Sequence, residues 1–440
     1  MSKTPMPNYC WLNGSMEGYP TNEEFEARMR SLAALHPHLL SKGLAIGHTV
    51  NNATIYAYRL GRRATPSLLV VSMLYARDVT ALATVMYAVE ELCRRYEARS
   101  DADLVDALGG VSVVFVPVLN VDAFVDDAAK NKHGGGDSVK NARPWMPPSP
   151  AIDDTVPARP GAAVEPKKMP TDCQPGVNID RNFPTFWAKQ AHSRGDCSVE
   201  YRGPRPVSEP ETEALVELVG KEKPHSALLF HSLPGVQYQS QLMFPWFFIG
   251  APNPLSDSER RHHERLAHAM QSDASNTTEF LIGPGAHSQF DGDGTLADYL
   301  WGRGIYTLLM SIGVPGTGPT DSHYYPKRRV MAQSAINFFV PIRRWIIDSA
   351  ADATLDEPAS QLVPRWFSMA LRTDALRNLP TSLFVASLGC CTMILLLVCL
   401  VRWRARDTRA KVAAAIQSAP PQTPIDEPAT LAELGLIKNR

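Results

Sequence analysis

Leu68–Asp78 reads LLVVSMLYARD. Its first four residues form an uninterrupted apolar run, the pattern of a strand buried on both faces in an α/β sheet. Tyr75-Ala76-Arg77-Asp78 follows where that strand ends. Open α/β sheets place their chemistry at this end of the strands. A helix is predicted immediately afterwards, over Val79–Tyr96.

Outward from this stretch the same alternation repeats. Thr21 is a candidate cap for a helix over Asn22–Leu40, and Thr54–Arg59 alternates as a half-buried strand does. Val111–Val118, Ser226–Phe230 and Ile305–Ile312 read as further buried strands rich in apolar and β-branched residues. Strands alternating with helices give an α/β sheet covered on both faces. Residues 144–172 are rich in proline and read as a long surface loop. No internal repeat interrupts the pattern.

Composition excludes more than it names. Net charge is -1, which gives no basis for nucleic-acid binding. No P-loop, G-x-G-x-x-G or Ser-His-Asp elbow is present. Arg261–His268, RHHERLAH, misses the zincin spacing, because His263 and His268 lie five apart; it reads as a solvated helix surface. Asn13, Asn52 and Asn276 head N-x-S/T triplets.

The C-terminal part is different in kind. Thr381–Val401 carries no charged residue. At about 1.5 Å per residue it spans the roughly 30 Å hydrocarbon core of a bilayer. Residues 379–401 therefore read as a transmembrane helix. Arg402, Arg404, Arg406, Arg409 and Lys411 follow it, against Arg365, Arg372 and Arg377 before it. The positive-inside bias places the 402–440 tail in the cytosol and the large domain on the luminal or extracellular side. Residues 348–378 form a stalk, and 1–18 a lead with no recognisable signal-peptide h-region.

Between those ends, over roughly Tyr19–Ile347, a series of motifs resembles the zinc carboxypeptidases of the carboxypeptidase A type (peptidase family M14). They are the YARD segment, PVLNVDAF at Pro117–Phe124, GVNIDRNFP at Gly176–Pro184, YRGPRPVSEPET at Tyr201–Thr212, LFHS at Leu229–Ser232 with SQLMFP at Ser240–Pro245, and DYLWGRGIYTLLMSIG at Asp298–Gly313. The resemblance implies a mixed, mostly parallel central sheet flanked by helices. It also implies a disulfide between Cys173 and Cys197, which persists in an oxidising compartment.

The residues that do the family's chemistry are altered. The family's three zinc ligands fall on Tyr75, Asp78 and His231, and only His231 is intact. The general base falls on Ser311, and a hydroxyl is no base near neutral pH. The oxyanion-supporting arginine falls on Val139, with Arg143 nearby as a substitute, and the active-site tyrosine falls on Phe290. The Asn-Arg pair that grips a C-terminal carboxylate falls on Asp180-Arg181, where an internal ion pair between the two is expected.

These changes share one site. The expected protein is a membrane-anchored carboxypeptidase-like chain without peptidase activity and without a cofactor, its cleft retained for a peptide or protein ligand. The alternatives are an active zinc carboxypeptidase with an atypical Tyr75/Asp78/His231 metal site, and a structural surface protein.

Overall fold

The computed structural model describes residues 14–61, 66–130, 138–145, 171, 173–187, 197–233, 239–247, 255–274, 276–287, 292–313 and 325–355. The predicted transmembrane segment, stalk remainder, tail and Phe290 lie outside the described residues. No described helix is long and apolar enough to cross a membrane.

The elements run α1 (Asn22–Leu35), β1 (Leu44–His48), β2 (Thr54–Leu60), β3 (Ser67–Val71), α2 (Val79–Glu97), α3 (Ala102–Gly110), β4 (Ser112–Val116), α4 (Val121–Lys130), α5 (Pro210–Glu222), β5 (Ser226–Ser232), β6 (Gln241–Phe244), α6 (Asp257–Ala274), β7 (Leu281–Pro284), α7 (Leu296–Gly302), β8 (Tyr306–Ile312) and α8 (Arg328–Leu355). Eight strands form one sheet in the order β1-β2-β4-β3-β5-β8-β6-β7. Its centre, β4-β3-β5-β8, is parallel, and the antiparallel pairings lie towards the two edges. The mixed, mostly parallel sheet expected from the resemblance is the one observed.

The local reasons are readable. Every residue of β3, β4 and β5 is buried, as their predominantly apolar character requires. Thr21 caps α1 through a capping box with Glu24. That helix ends at Leu35, short of the predicted Leu40, with His36-Pro37-His38 following. The residue before a proline is driven out of the α region, which stops the helix there. The chain before α1 contributes to the interior: Met16 and Tyr19 are buried, and the Tyr19 hydroxyl donates to the Pro326 carbonyl at 2.7 Å.

Helix α8 covers the sheet beside α2 and α6. Its Trp345 is fully buried, and the indole Nε1 donates to Ser226 Oγ on β5 at 3.2 Å. Cys173 and Cys197 are bonded, with their Cα atoms 4.6 Å apart and their sequence positions 24 apart. Closing a loop of that size stabilises the fold by about 3 kcal/mol on chain-entropy grounds. The loop contains the GVNIDRNFP segment, so the bond fixes the part of the chain that delivers Asp180 and Arg181.

RHHERLAH differs from expectation. It lies in α6, but His263 is fully buried rather than solvated. Its Nδ1 donates to the Glu259 carbonyl at 2.8 Å, and its Nε2 accepts from Thr307 N at 3.3 Å. The first bond lies within α6, and the second ties α6 to β8.

Candidate functional site

The site lies at the C-terminal ends of the parallel strands. After β3, a short loop leads into α2, and Met73 in that loop has φ 53. Asp78 occupies the cap position of α2, yet its carboxylate bonds no amide of its own helix. It reaches across to β5 instead. Asp78 Oδ2 lies 2.7 Å from His231 Nδ1, and Oδ1 accepts from Ser232 N at 3.0 Å.

His231 is held on its other side as well. Its Nε2 lies 3.3 Å from Asp180 Oδ2, and Asp180 Oδ1 accepts from Leu296 N, the first residue of α7, at 2.9 Å. Asp180 is delivered by a single 3-10 turn, Ile179–Arg181. All three side chains are buried. A carboxylate has no proton to give, so each ring nitrogen must be the donor, and the imidazole between them is a cation. Burial is the largest single influence on His231 and works against its charge. The charge of Asp78 and the hydrogen bonds to Asp180 and Asp78 outweigh it and raise the pKa to about 9.

Tyr75 lies flat against this imidazolium, with ring centroids 4.4 Å apart and planes 26° from parallel. Burial, followed by the negative charge of Asp180, pushes the phenol well above its ordinary range, so it stays neutral. The Arg77 guanidinium lies 5.5 Å from the centre of the same ring.

The Asp180–Arg181 ion pair expected from sequence is replaced by two separate engagements. Asp180 serves His231, and Arg181 Nε donates to Glu200 Oε2 at 2.7 Å. Glu200 carried no sequence signal beyond its nearness to Cys197. The Arg181 guanidinium is buried under a backbone that only glycine permits: a Cβ on Gly292, at φ 154, would lie 2.2 Å from its Nη1.

The remaining positions fall as follows. Parallel pairing of β5 and β8 sets Ser311 directly beside His231. Its hydroxyl is buried with no hydrogen-bond partner among the described residues. Val139 is half-buried and packed on the core, an aliphatic side chain with nothing to offer an oxyanion. Arg143 does not replace it, because its Nη1 is bound to Glu209 Oε1 at 2.5 Å.

A zinc ion does not fit these residues. Tetrahedral zinc bonds at about 2.0–2.1 Å keep nitrogen and oxygen ligands roughly 3.4 Å apart. Asp78 and His231 are in direct hydrogen bond at 2.7 Å, which closes the gap an ion would bridge. The third position carries a neutral phenol. Among the described residues, no group of three or more His, Cys, Asp or Glu could hold a metal ion.

The buried charges set a pH dependence. His231 is raised from 6.5 to about 9, so its stabilising contribution is complete below about pH 6.5 and is lost as pH rises through 9. Glu211, raised to about 7, and Asp298, raised to about 8, are both shifted mainly by burial. Each favours the folded state when protonated, so both contributions also fall with rising pH. The denaturation midpoint in urea is therefore expected to be lower at about pH 9.5 than at about pH 6. His231→Gln should flatten the part of the loss above about pH 7. A midpoint that rises across this interval contradicts the assignment.

Comparison with known proteins agrees with this frame. The zinc carboxypeptidase family model matches residues 25–324. Rat carboxypeptidase B is 23% identical over 288 residues, which cover 64% of this chain and 60% of that protein. Human carboxypeptidase B is 23% identical over 300 residues, covering 66% of this chain and 62% of that protein. The chain thus spans about three-fifths of the length of these relatives. Among solved structures, thrombin-activatable fibrinolysis inhibitor superposes with a TM-score of 0.59 at 17% identity, covering 77% of this chain and 76% of that one. Carboxypeptidase A from Helicoverpa armigera gives 0.59 at 18% identity, with the same coverage of each chain. The buried parallel strands, the motif order and the match over residues 25–324 together establish that this chain belongs to the zinc carboxypeptidase family.

Proposed function

We propose that this carboxypeptidase-fold domain is catalytically silent and acts as a binding or scaffolding ectodomain, anchored in a membrane by residues 379–401. The carrying observation is the state of His231. Both its ring nitrogens are bonded to carboxylates and its face is covered by Tyr75, so the one intact ligand of the family's metal site is occupied by the protein itself. A proton on His231 supplies the positive charge between two carboxylates that a metal would otherwise supply.

The rest of the constellation points the same way. Hydrolysis by the family's route needs an open metal position for water and a base beside it. Ser311 provides no base, and Val139 no charge for an oxyanion. The grip on a C-terminal carboxylate is also lost, because Glu200 already neutralises Arg181. A peptide or protein ligand in the old cleft would be recognised by features other than a free C-terminus.

The test uses the full chain purified in detergent, dialysed, then supplied with zinc. It is expected to carry no stoichiometric zinc and to release no C-terminal residue from peptides with basic, aromatic or aliphatic ends. One tightly held zinc per chain together with C-terminal trimming would establish the Tyr75/Asp78/His231 hydrolase instead.

A further inference from the structure

Three triplets in this chain, headed by Asn13, Asn52 and Asn276, have the form N-x-S/T. Asn13 lies outside the described residues. The other two occupy similar settings at opposite edges of the sheet. Asn52 is at the tip of the turn joining β1 to β2, at φ 67, with its backbone N–H donating to Thr49 O at 2.9 Å. Asparagine tolerates this left-handed conformation better than most residues. Asn276 follows the end of α6, where Thr277 N and Thr278 N both donate to the Ala274 carbonyl. Both asparagines are exposed, and neither side-chain amide has a hydrogen bond among the described residues.

The contrast with the buried asparagines is informative. Asn120, Asn141, Asn178 and Asn182 are buried, and each donates its side-chain amide to a protein acceptor. None of these heads such a triplet. A large hydrophilic addition on any of them would break the core, whereas on Asn52 or Asn276 it would extend into solvent at no packing cost. The Cys173–Cys197 bond adds an independent observation, since such a bond forms and persists in an oxidising secretory environment, the compartment in which asparagine-linked glycans are added.

We propose that Asn52 and Asn276 are N-glycosylation sites of this domain. The donor is a lipid-pyrophosphate-linked oligosaccharide. The carboxamide nitrogen forms a bond to the anomeric carbon, the anomeric C–O bond to the pyrophosphate breaks, the lipid pyrophosphate leaves, and the amide gives up one proton. No electrons are exchanged. Glycans at these turns would cover the hairpin tip at one edge of the sheet and the approach to β7 at the other. They would leave the cleft between them as the accessible protein surface, whether or not the cleft is catalytic.

The test expresses the full chain in cultured eukaryotic cells on an Asn13→Gln background, so that only two sites are counted. Treatment with a peptide-N-glycosidase is expected to remove two discrete mobility steps. Asn52→Gln and Asn276→Gln should each abolish one step, Thr54→Ala and Thr278→Ala should reproduce those losses, and Thr54→Ser should retain its step. Peptide mapping of the Cys173–Cys197 bond in the same sample separates the ways of failing. No step with the bond formed means that the triplets are bypassed; no step with both thiols reduced means that the domain never enters the compartment. Either result overturns the proposal, and a single step overturns it for the silent site.

Discussion

Asp78→Ala is expected to destabilise the domain by about 3–5 kcal/mol, the usual cost of removing one partner from a buried ion pair. Asp78 is fully buried, and its two oxygens hold His231 Nδ1 and Ser232 N. Alanine takes away the shorter of the two carboxylate contacts to the imidazolium, leaving the longer one to Asp180, and orphans a backbone amide in the interior. Asp78→Asn should be milder. Its carbonyl oxygen can still accept from Ser232 N, while its amide donates to a His231 Nδ1 that has lost its proton. That variant should therefore lose less stability than alanine, and lose the part of the alkaline sensitivity that comes from His231. Urea denaturation at about pH 7 measures the first effect, and its repetition at about pH 9.5 the second. A loss below about 1 kcal/mol for Asp78→Ala would mean that the Asp78–His231–Asp180 chain does not hold this end of the sheet together.

What sequence could reveal about this site follows from how its parts are encoded. The strands were legible because burial on both faces demands apolar runs; Leu68–Val71 supplies one without interruption, and Val111–Val118 one broken only by Ser112 and Pro117. The positions of Tyr75, Asp78, Asp180, His231 and Ser311 were legible because each lies in or beside a motif with fixed spacing. Their partners were not. His231 and Asp78 are 153 residues apart, and His231 and Asp180 are 51 apart, so the hydrogen bonds joining them exist only once the sheet has formed. Charge logic favoured Asp180 with its neighbour Arg181, and the fold instead turned Asp180 towards His231 and gave Arg181 to Glu200. The burial of His263 escaped for a related reason. A histidine amid charged residues reads as solvated; its Nδ1 finds an acceptor within its own helix, and only the packing of α6 against β8 supplies a donor for its Nε2. Four-residue strands such as β6 and β7 have too few residues to declare a period.

The strongest test of descent is to rebuild what the site lacks. Tyr75→His with Asp78→Glu should convert a chain without stoichiometric zinc into one that retains it through dialysis, with apparent affinity raised by at least about three orders of magnitude, or roughly 4 kcal/mol. Replacing Tyr75 removes a neutral phenol and puts an imidazole nitrogen beside His231, from which the stacked ring is only 4.4 Å away. The longer glutamate allows the carboxylate to withdraw from the 2.7 Å contact that now closes the gap. Asp180 then changes role without moving: a carboxylate on the far nitrogen of a ligating imidazole orients it and raises its basicity. Zinc alone should not restore peptide hydrolysis, since general base catalysis contributes about 10²–10⁴ in rate and Ser311 has none to give. Ser311 pairs in register with His231 on the adjacent strand, so Ser311→Glu places a carboxylate at the same end of the sheet. Trimming of peptide C-termini is expected only when all three substitutions are combined, and weakly even then, because Val139 leaves the oxyanion unsupported. Zinc binding measured by metal analysis separates this from a folding failure. If the folded double variant holds no zinc, Tyr75 and Asp78 do not stand at the family's ligand positions.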